Sequence, residues 1–396
     1  MLPAKWVLPA LLVGLAAGPL KAADWPQWRG PQRNGISAET GWLTRWPAAG
    51  PKRLWSARVG EGFSSVAVAG GRVYAIGNAS NQDRVSCLNA ETGKPVWSYA
   101  YASPAGDYGG PRATPVLDGG NVYTFSRDGV ALCLNAGNGK VVWQKDLRRE
   151  TGAQPPQWGF AGSPLISGNL AIYNLGAAGT GVDKGTGKIV WRSATEASGY
   201  ASPLAYTVGN QQGVAIFTAS AIAGLNPANG RLLWQFPWQT NFGVNAADPI
   251  FSGNTVFISS NYEKGCALLR LGGGQPAAVW QNRNMRNHFN SCVLVGGALY
   301  GNDQGTLKCI DLATGAGRWQ QRGMGKGGLI SAGGNLLVMT ERGELLLAKA
   351  APDRYTELAR AQVLTGTCWT HPVLANGRIY CRSHEGDLVC LDVRAK

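Results

Sequence analysis

Apolar residues in this chain come in short alternating runs that stop at glycine pairs or Asn-Gly steps, and the same runs recur along its length. SVAVAGGRVYA, TPVLDGGNVYT, SPLISGNLAIY, SPLAYTVGNQQGVAIF, DPIFSGNTVFI, SCVLVGGALYG, GLISAGGNLLVM and HPVLANGRIYC are eight copies of one pattern. Each is a strand, a tight turn and a second strand, because a period of two is the signature of a half-buried strand. A second motif follows these heads: CLNAETGKPVW, CLNAGNGKVVW, GVDKGTGKIVW, GLNPANGRLLW and CIDLATGAGRW, with a looser LLRLGGGQPAAVW. In the five regular copies, Asn or Asp opens a turn, glycine supplies its left-handed position, and the returning strand ends in tryptophan. Head and tail together make four strands.

Anchored on Val66, Pro115, Pro164, Pro203, Pro249, Cys292, Leu329 and Pro372, the heads are 37 to 49 residues apart. That spacing suits one four-stranded blade per repeat, and predicts an all-β protein with a single eight-bladed β-propeller over residues 52–396. Trp55, Trp97, Trp143, Trp191, Trp234, Trp280 and Trp319 hold one place in the repeat, so they are expected to dock each blade on its neighbour. The last head leaves too little chain for an outer strand, while KRLWSARV around Trp55 is a tail with no head before it. The N-terminal strand should therefore complete the eighth blade and latch the ring, removing two free sheet edges. The seventh repeat lacks both tryptophan and turn, and its outer hairpin should be altered.

Residues 1–23 break the pattern with Lys5, an apolar run to about Leu20, and small residues at Ala22 and Ala23. They read as a secretory signal that is too short to span a bilayer. The chain is expected in the periplasm or secreted, with no transmembrane segment after cleavage. No cysteine follows the run to carry a lipid, the first being Cys87. Residues 24–51 carry tryptophans without strand alternation and should pack on the ring as a plug or brace. The formal charge of +14 is dispersed along the chain, which argues for a general bias toward anionic partners and against a nucleic-acid site. Cys87, Cys133, Cys309 and Cys390 share one repeat position and should be buried thiols. Cys266, Cys292, Cys368 and Cys381 do not, and a bridge between Cys368 and Cys381 is left open.

Inner strands of a propeller line its channel, so residues just before each head converge at one mouth. One residue before the anchors stand Ser65, Thr114, Ser163, Ser202, Asp248, Ser291, Gly328 and His371. Three before stand Phe63, Arg112, Ala161, Tyr200, Ala246, Phe289, Lys326 and Trp369, on the same strand face. Arg112, Lys326 and His371 against the single Asp248 point to an anionic ligand stacked among Tyr200, Phe289 and Trp369. Asn287 and His288 feed the same mouth from the NRNMRNHFN loop, and Trp158 from another side. No hydrolase constellation, metal spacing or phosphate loop stands out, and no cofactor is predicted from the residues themselves.

The repeat resembles the pyrroloquinoline-quinone-like propeller superfamily, which includes quinoprotein alcohol dehydrogenases and the propeller lipoprotein of outer-membrane-protein assembly. WPQWRGPQRNG, YGGPRATP, NMRNHFNSCVLVGG and GELLLAKAAPDRYTELARAQV are similar to exported propellers abundant in planctomycete-type genomes. The resemblance implies either a monomeric binding scaffold for a protein, a glycan or a small anionic ligand, or an oxidoreductase using pyrroloquinoline quinone with calcium. No two cysteines are adjacent here, as they are over the quinone in the dehydrogenases, which places the scaffold first.

Overall fold

The computed structural model describes residues 23–104, 106–272 and 274–395; the expected signal lies outside them except for Ala23. Eight antiparallel sheets follow one another along the chain, and the described residues contain one short α-helix, Leu147–Thr151. Blade one shows the pattern: Ala67–Ala69 innermost, then Arg72–Ala79, Gln82–Asn89 and Pro95–Ala102 outermost. The eighth blade has three strands from the C-terminal end, and Lys52–Arg58 pairs antiparallel with Asp387–Asp392 as its fourth. The ring closes through the N-terminal strand.

Two recurrent devices hold the blades together. At the periphery, the indole Nε1 donates to a carbonyl in the next blade's turn: Trp55 to Ala90, Trp97 to Ala136, Trp143 to Lys184, Trp191 to Pro227, Trp280 to Leu312 and Trp319 to Ala351, all at 2.8 to 3.0 Å. The ring lies against the turn glycine there; a Cβ on Gly93 would come within 2.6 Å of Trp55. Trp234 departs, donating to Tyr206 Oη of its own blade at 2.7 Å, because the fifth blade's GGGQ turn lacks the regular motif. The seventh blade puts Ala359 where the others have tryptophan, and Trp46 of the N-terminal segment packs in the same apolar cluster.

The repeated cysteines are explained by the same device. Cys87, Cys133, Cys309 and Cys390 sit directly across from Trp97, Trp143, Trp319 and Trp55. The third and fourth blades use Gly181 and Gly224 opposite Trp191 and Trp234. Six of the seven docking tryptophans thus have Cys or Gly beneath the indole, and Trp280 has Leu268. All eight cysteines are buried free thiols, so Cys368 and Cys381 are not bridged, and burial pushes the Cys381 thiol well above its ordinary range.

Nearer the axis runs a hydrogen-bonded belt. The backbone N–H of Ser65 donates to Thr114 Oγ1, Thr114 to Ser163 Oγ, Ser163 to Ser202 Oγ, Ser202 to Asp248 Oδ1 and Asp248 to Ser291 Oγ, all at 2.8 to 3.0 Å. Each blade thus satisfies the crowded inner backbone of the one before. The belt stops at Gly328, where a Cβ would lie 2.7 Å from Asn290 Oδ1.

The N-terminal segment reaches every blade. Trp25 bridges Val68 of blade one, and Pro26 O accepts from Leu117 N–H of blade two. Arg33 donates to Pro164 and Pro203 carbonyls of blades three and four. Trp28 Nε1 donates to Asp248 of blade five at 2.5 Å, and Arg29 to Cys292 O of blade six at 2.6 Å. Ile36–Ser37 adds a fifth, parallel strand to blade seven, and Glu39 accepts from Gly377 N–H of blade eight. The segment is a plug at the end of the channel where the inner strands finish.

Candidate functional site

The other end stays open as a pocket of about 340 Å³, lined by residues that precede the inner strands. All eight residues three before the anchors line it: Phe63, Arg112, Ala161, Tyr200, Ala246, Phe289, Lys326 and Trp369. Eight inner strands leave the rim in one orientation, so one repeat position contributes one ring of side chains. His288 and Trp158 also line the wall, while Trp28 of the plug and Asp248 reach it from below.

The wall is a near-continuous aromatic band. Phe63 stacks between His384 and Trp369, with centroids 4.2 and 5.3 Å away. Trp369 meets Phe289 at 5.1 Å, and Phe289 meets His288 at 4.6 Å. Tyr262 continues the band, its Oη 3.1 Å from His288 Nε2. Phe242 joins Tyr262 to Trp158, and Trp158 packs on Tyr200, whose Oη accepts from Trp158 N–H at 3.3 Å.

Two cations lie on this band. Arg112 sits 5.6 Å over Phe63 and Lys326 4.8 Å over Trp369, within cation–π range. The Arg112 guanidinium donates to the Gly110 and Tyr108 carbonyls. Neither cation has a carboxylate partner among the described residues. Burial, then the nearby Arg127 charge, lowers the Arg112 pKa to about 10, which leaves it protonated at neutral pH. Glu341 is turned to structure, accepting from Trp369 Nε1 at 2.6 Å and from Lys326 N–H at 3.3 Å. Burial and then Lys326 drive His288 down to about 4, so the histidine of the wall is neutral.

Two expectations are corrected, and a third residue is found already engaged. His371 does not line the pocket: it is buried against the plug, 4.5 Å from the Trp28 ring and 6.4 Å from the Trp25 ring, which cover it. Asn287 is buried too, donating to Asn302 O at 3.0 Å and accepting from Cys292 Sγ at 3.1 Å; it braces the loop that presents His288. Asp248 reaches the floor with both oxygens engaged, Oδ1 by Ser202 N–H and Oδ2 by Trp28 Nε1, with Arg29 Nε 3.9 Å away. Its burial raises its pKa against the pull of Arg29.

Tyr108, Tyr262 and Phe242 were not foreseen. All three have left-handed backbones, φ 53°, 55° and 64°, which is costly for bulky residues and concentrates at functional sites. They belong to loops between strands, where no periodicity marks them. Trp28 is likewise invisible to the repeat, though the WPQWRG stretch sets it apart in composition.

A family model described as outer membrane protein assembly factor BamB matches residues 39–108 and 81–321. The chain belongs to this family. The BamB of Yersinia pestis is 23% identical over 76% of this chain and 58% of its own length. The quinoprotein alcohol dehydrogenase PedH of Pseudomonas putida is 28% identical over 39% of this chain and 27% of its own. The chain thus spans about a quarter to three fifths of these two relatives. The crystal structure of BamB from Moraxella catarrhalis superposes with a TM-score of 0.65 at 16% identity, covering 87% of this chain and 98% of that one. That likeness establishes the BamB-type propeller fold.

Proposed function

We propose that this chain is an exported binding propeller, in the periplasm or secreted, whose mouth holds an acidic group of a protein or glycan ligand. The observation that carries the reading is the pair Arg112 and Lys326, set on an aromatic wall with no carboxylate among the described residues paired with them. An anionic group between them would gain charge-assisted hydrogen bonds while the aromatic rings cover the apolar face beside it. The plug closes the opposite end, so the ligand enters and leaves by the mouth. The extent of the BamB similarity agrees with a binding role and does not specify the ligand.

The quinoprotein reading is favoured by PedH and by a pocket able to stack a planar anion. Its donor set does not fit a calcium-dependent quinone. Calcium takes six to eight oxygens, whereas among the described residues the only carboxylate lining the pocket is Asp248, already engaged by Trp28, Arg29 and Ser202. No metal-ligating cluster of three acidic, His or Cys side chains occurs among the described residues. Incubation with pyrroloquinoline quinone and calcium, followed by dye reduction with alcohols, should give no calcium-dependent turnover. Turnover would overturn the binding reading in favour of the dehydrogenase.

A further inference from the structure

The plugged face carries a feature that the mouth does not use. Three residues before the docking tryptophan stand Lys52, Lys94, Lys140, Lys188 and Arg231, ahead of Trp55, Trp97, Trp143, Trp191 and Trp234. These belong to blades eight, one, two, three and four, which are consecutive around the closed ring. The same position is Ala277, Ala316 and Thr356 on blades five to seven, so the cations form a one-sided arc. All five are exposed, and none of their side chains makes an ion pair or hydrogen bond among the described residues.

Their side of the ring follows from the backbone. Three of the turns that precede them pack on the first turn of their own blade, through Ala90 N–H to Gly71 O, Ala136 N–H to Gly120 O and Lys184 N–H to Asn169 O. That first turn in blade one also meets the plug, Gly70 N–H donating to Asp24. The arc is therefore on the plugged face, away from the mouth. The acids of the same turns are occupied: Asp183 by Thr186, Gly185 and Asn169, and Glu91 by Arg378.

Beside the cations the outer strands expose Val96, Val142 and Val190, one residue before the tryptophan, and Leu232, two before, at 45, 48, 52 and 49% of their surface. A hydrated polyanion would cover the charges and leave these side chains in water. The interfacial layer of an anionic bilayer takes both, and the cations recur at one repeat position with the apolar side chains one or two residues further along the same strands. We propose that this face docks on an anionic lipid surface through the Lys52–Lys94–Lys140–Lys188–Arg231 arc, leaving the mouth directed away from the membrane.

Sedimentation of the purified protein with phosphatidylcholine vesicles, with and without phosphatidylglycerol, tests this. Binding should require phosphatidylglycerol and fall with salt. Replacing Lys94, Lys140 and Lys188 together by Gln should weaken it about a hundredfold, since each cation near such a surface is worth roughly fivefold. The matched variant Arg342→Gln/Lys349→Gln/Arg354→Gln, of equal net charge but outside the arc, should bind nearly as the parent. Val96→Ser/Val142→Ser/Val190→Ser should weaken vesicle binding while retention on dextran sulfate stays constant. Absent vesicle binding, equal losses in the two charge variants, or polyanion binding without vesicle binding would each overturn the proposal.

Discussion

The two ends of the channel are built from the same residue types and put them to opposite uses. At the plugged end, Arg29 and Arg33 are fully enclosed, donating to carbonyls of Asn34, Cys292, Pro164 and Pro203, with Asp248 beside Arg29. At the mouth, Arg112 donates to two carbonyls of its own loop, and Lys326 is exposed over Trp369. Tryptophans follow the same division: Trp25 and Trp28 are held by the plug, whereas Trp158 and Trp369 form the wall of the open pocket. An enclosed arginine beside a carboxylate contributes to the fold, and one facing an open pocket contributes to a site. The difference lies in enclosure and in the Asp248 carboxylate beside Arg29, not in residue type.

The sharpest way to break the comparison is to remove the plug. Deleting residues 24–60 takes away the channel seal and the outer strand of the eighth blade together, exposing two sheet edges. Size-exclusion chromatography should then show aggregate in place of the parent's elution peak. A monomeric, cooperatively folding deletion would mean that the ring closes without Lys52–Arg58.

A single substitution separates the plug's electrostatics from its strand pairing. Arg29→Met keeps the volume but leaves Asp248 buried without its cation, and breaking one partner of a buried pair costs about 3 to 5 kcal/mol. Urea unfolding should report that loss. The equivalent change at the mouth, Lys326→Met, should cost less than about 1 kcal/mol, since that side chain is exposed and loses only its contact over Trp369.

Much of this division could be read in the sequence, and the missing parts share a cause. The eight heads place the inner strands, and period-two alternation names all eight side chains of the pocket ring. The docking tryptophans follow from the repeat in the same way. Residues 24–51 have no period, so the wiring of Arg29 to Cys292 and of Trp28 to Asp248, across more than two hundred residues, leaves no local mark. Asp248 and His371 occupy repeat positions like any other. Only the plug above them decides that one is engaged and the other covered. Tyr108, Phe242 and Tyr262 depend on left-handed loop backbones that alternation does not report.

Acid should act on the plugged end more than on the mouth's cations. His371 is buried and its pKa is lowered to about 4, first by burial and then with a contribution from the Arg29 charge. Its unfolded pKa is near 6.5, so between about 6.5 and 4 the unfolded chain binds the extra proton. The stability it contributes is complete above pH 6.5 and is lost as pH falls, by up to about 1.4 kcal/mol per pH unit. His288 titrates in the same sense. Urea midpoints measured from pH 7 to pH 4.5 should fall, and His371→Phe, which keeps a ring on Trp28, should flatten the curve.

The central claim is that the open end binds anions because Arg112 and Lys326 are not neutralised. Titration with 8-anilinonaphthalene-1-sulfonate, an anionic aromatic probe, followed by fluorescence, tests it most directly. The parent should bind at one saturable site. Arg112→Ala/Lys326→Ala should weaken that site about a hundredfold or more, as charge-assisted contacts are worth roughly 1.5 to 3 kcal/mol each and 1.4 kcal/mol is a factor of ten, with thermal stability little changed. A double variant that stays folded and binds the probe as tightly as the parent would contradict the account.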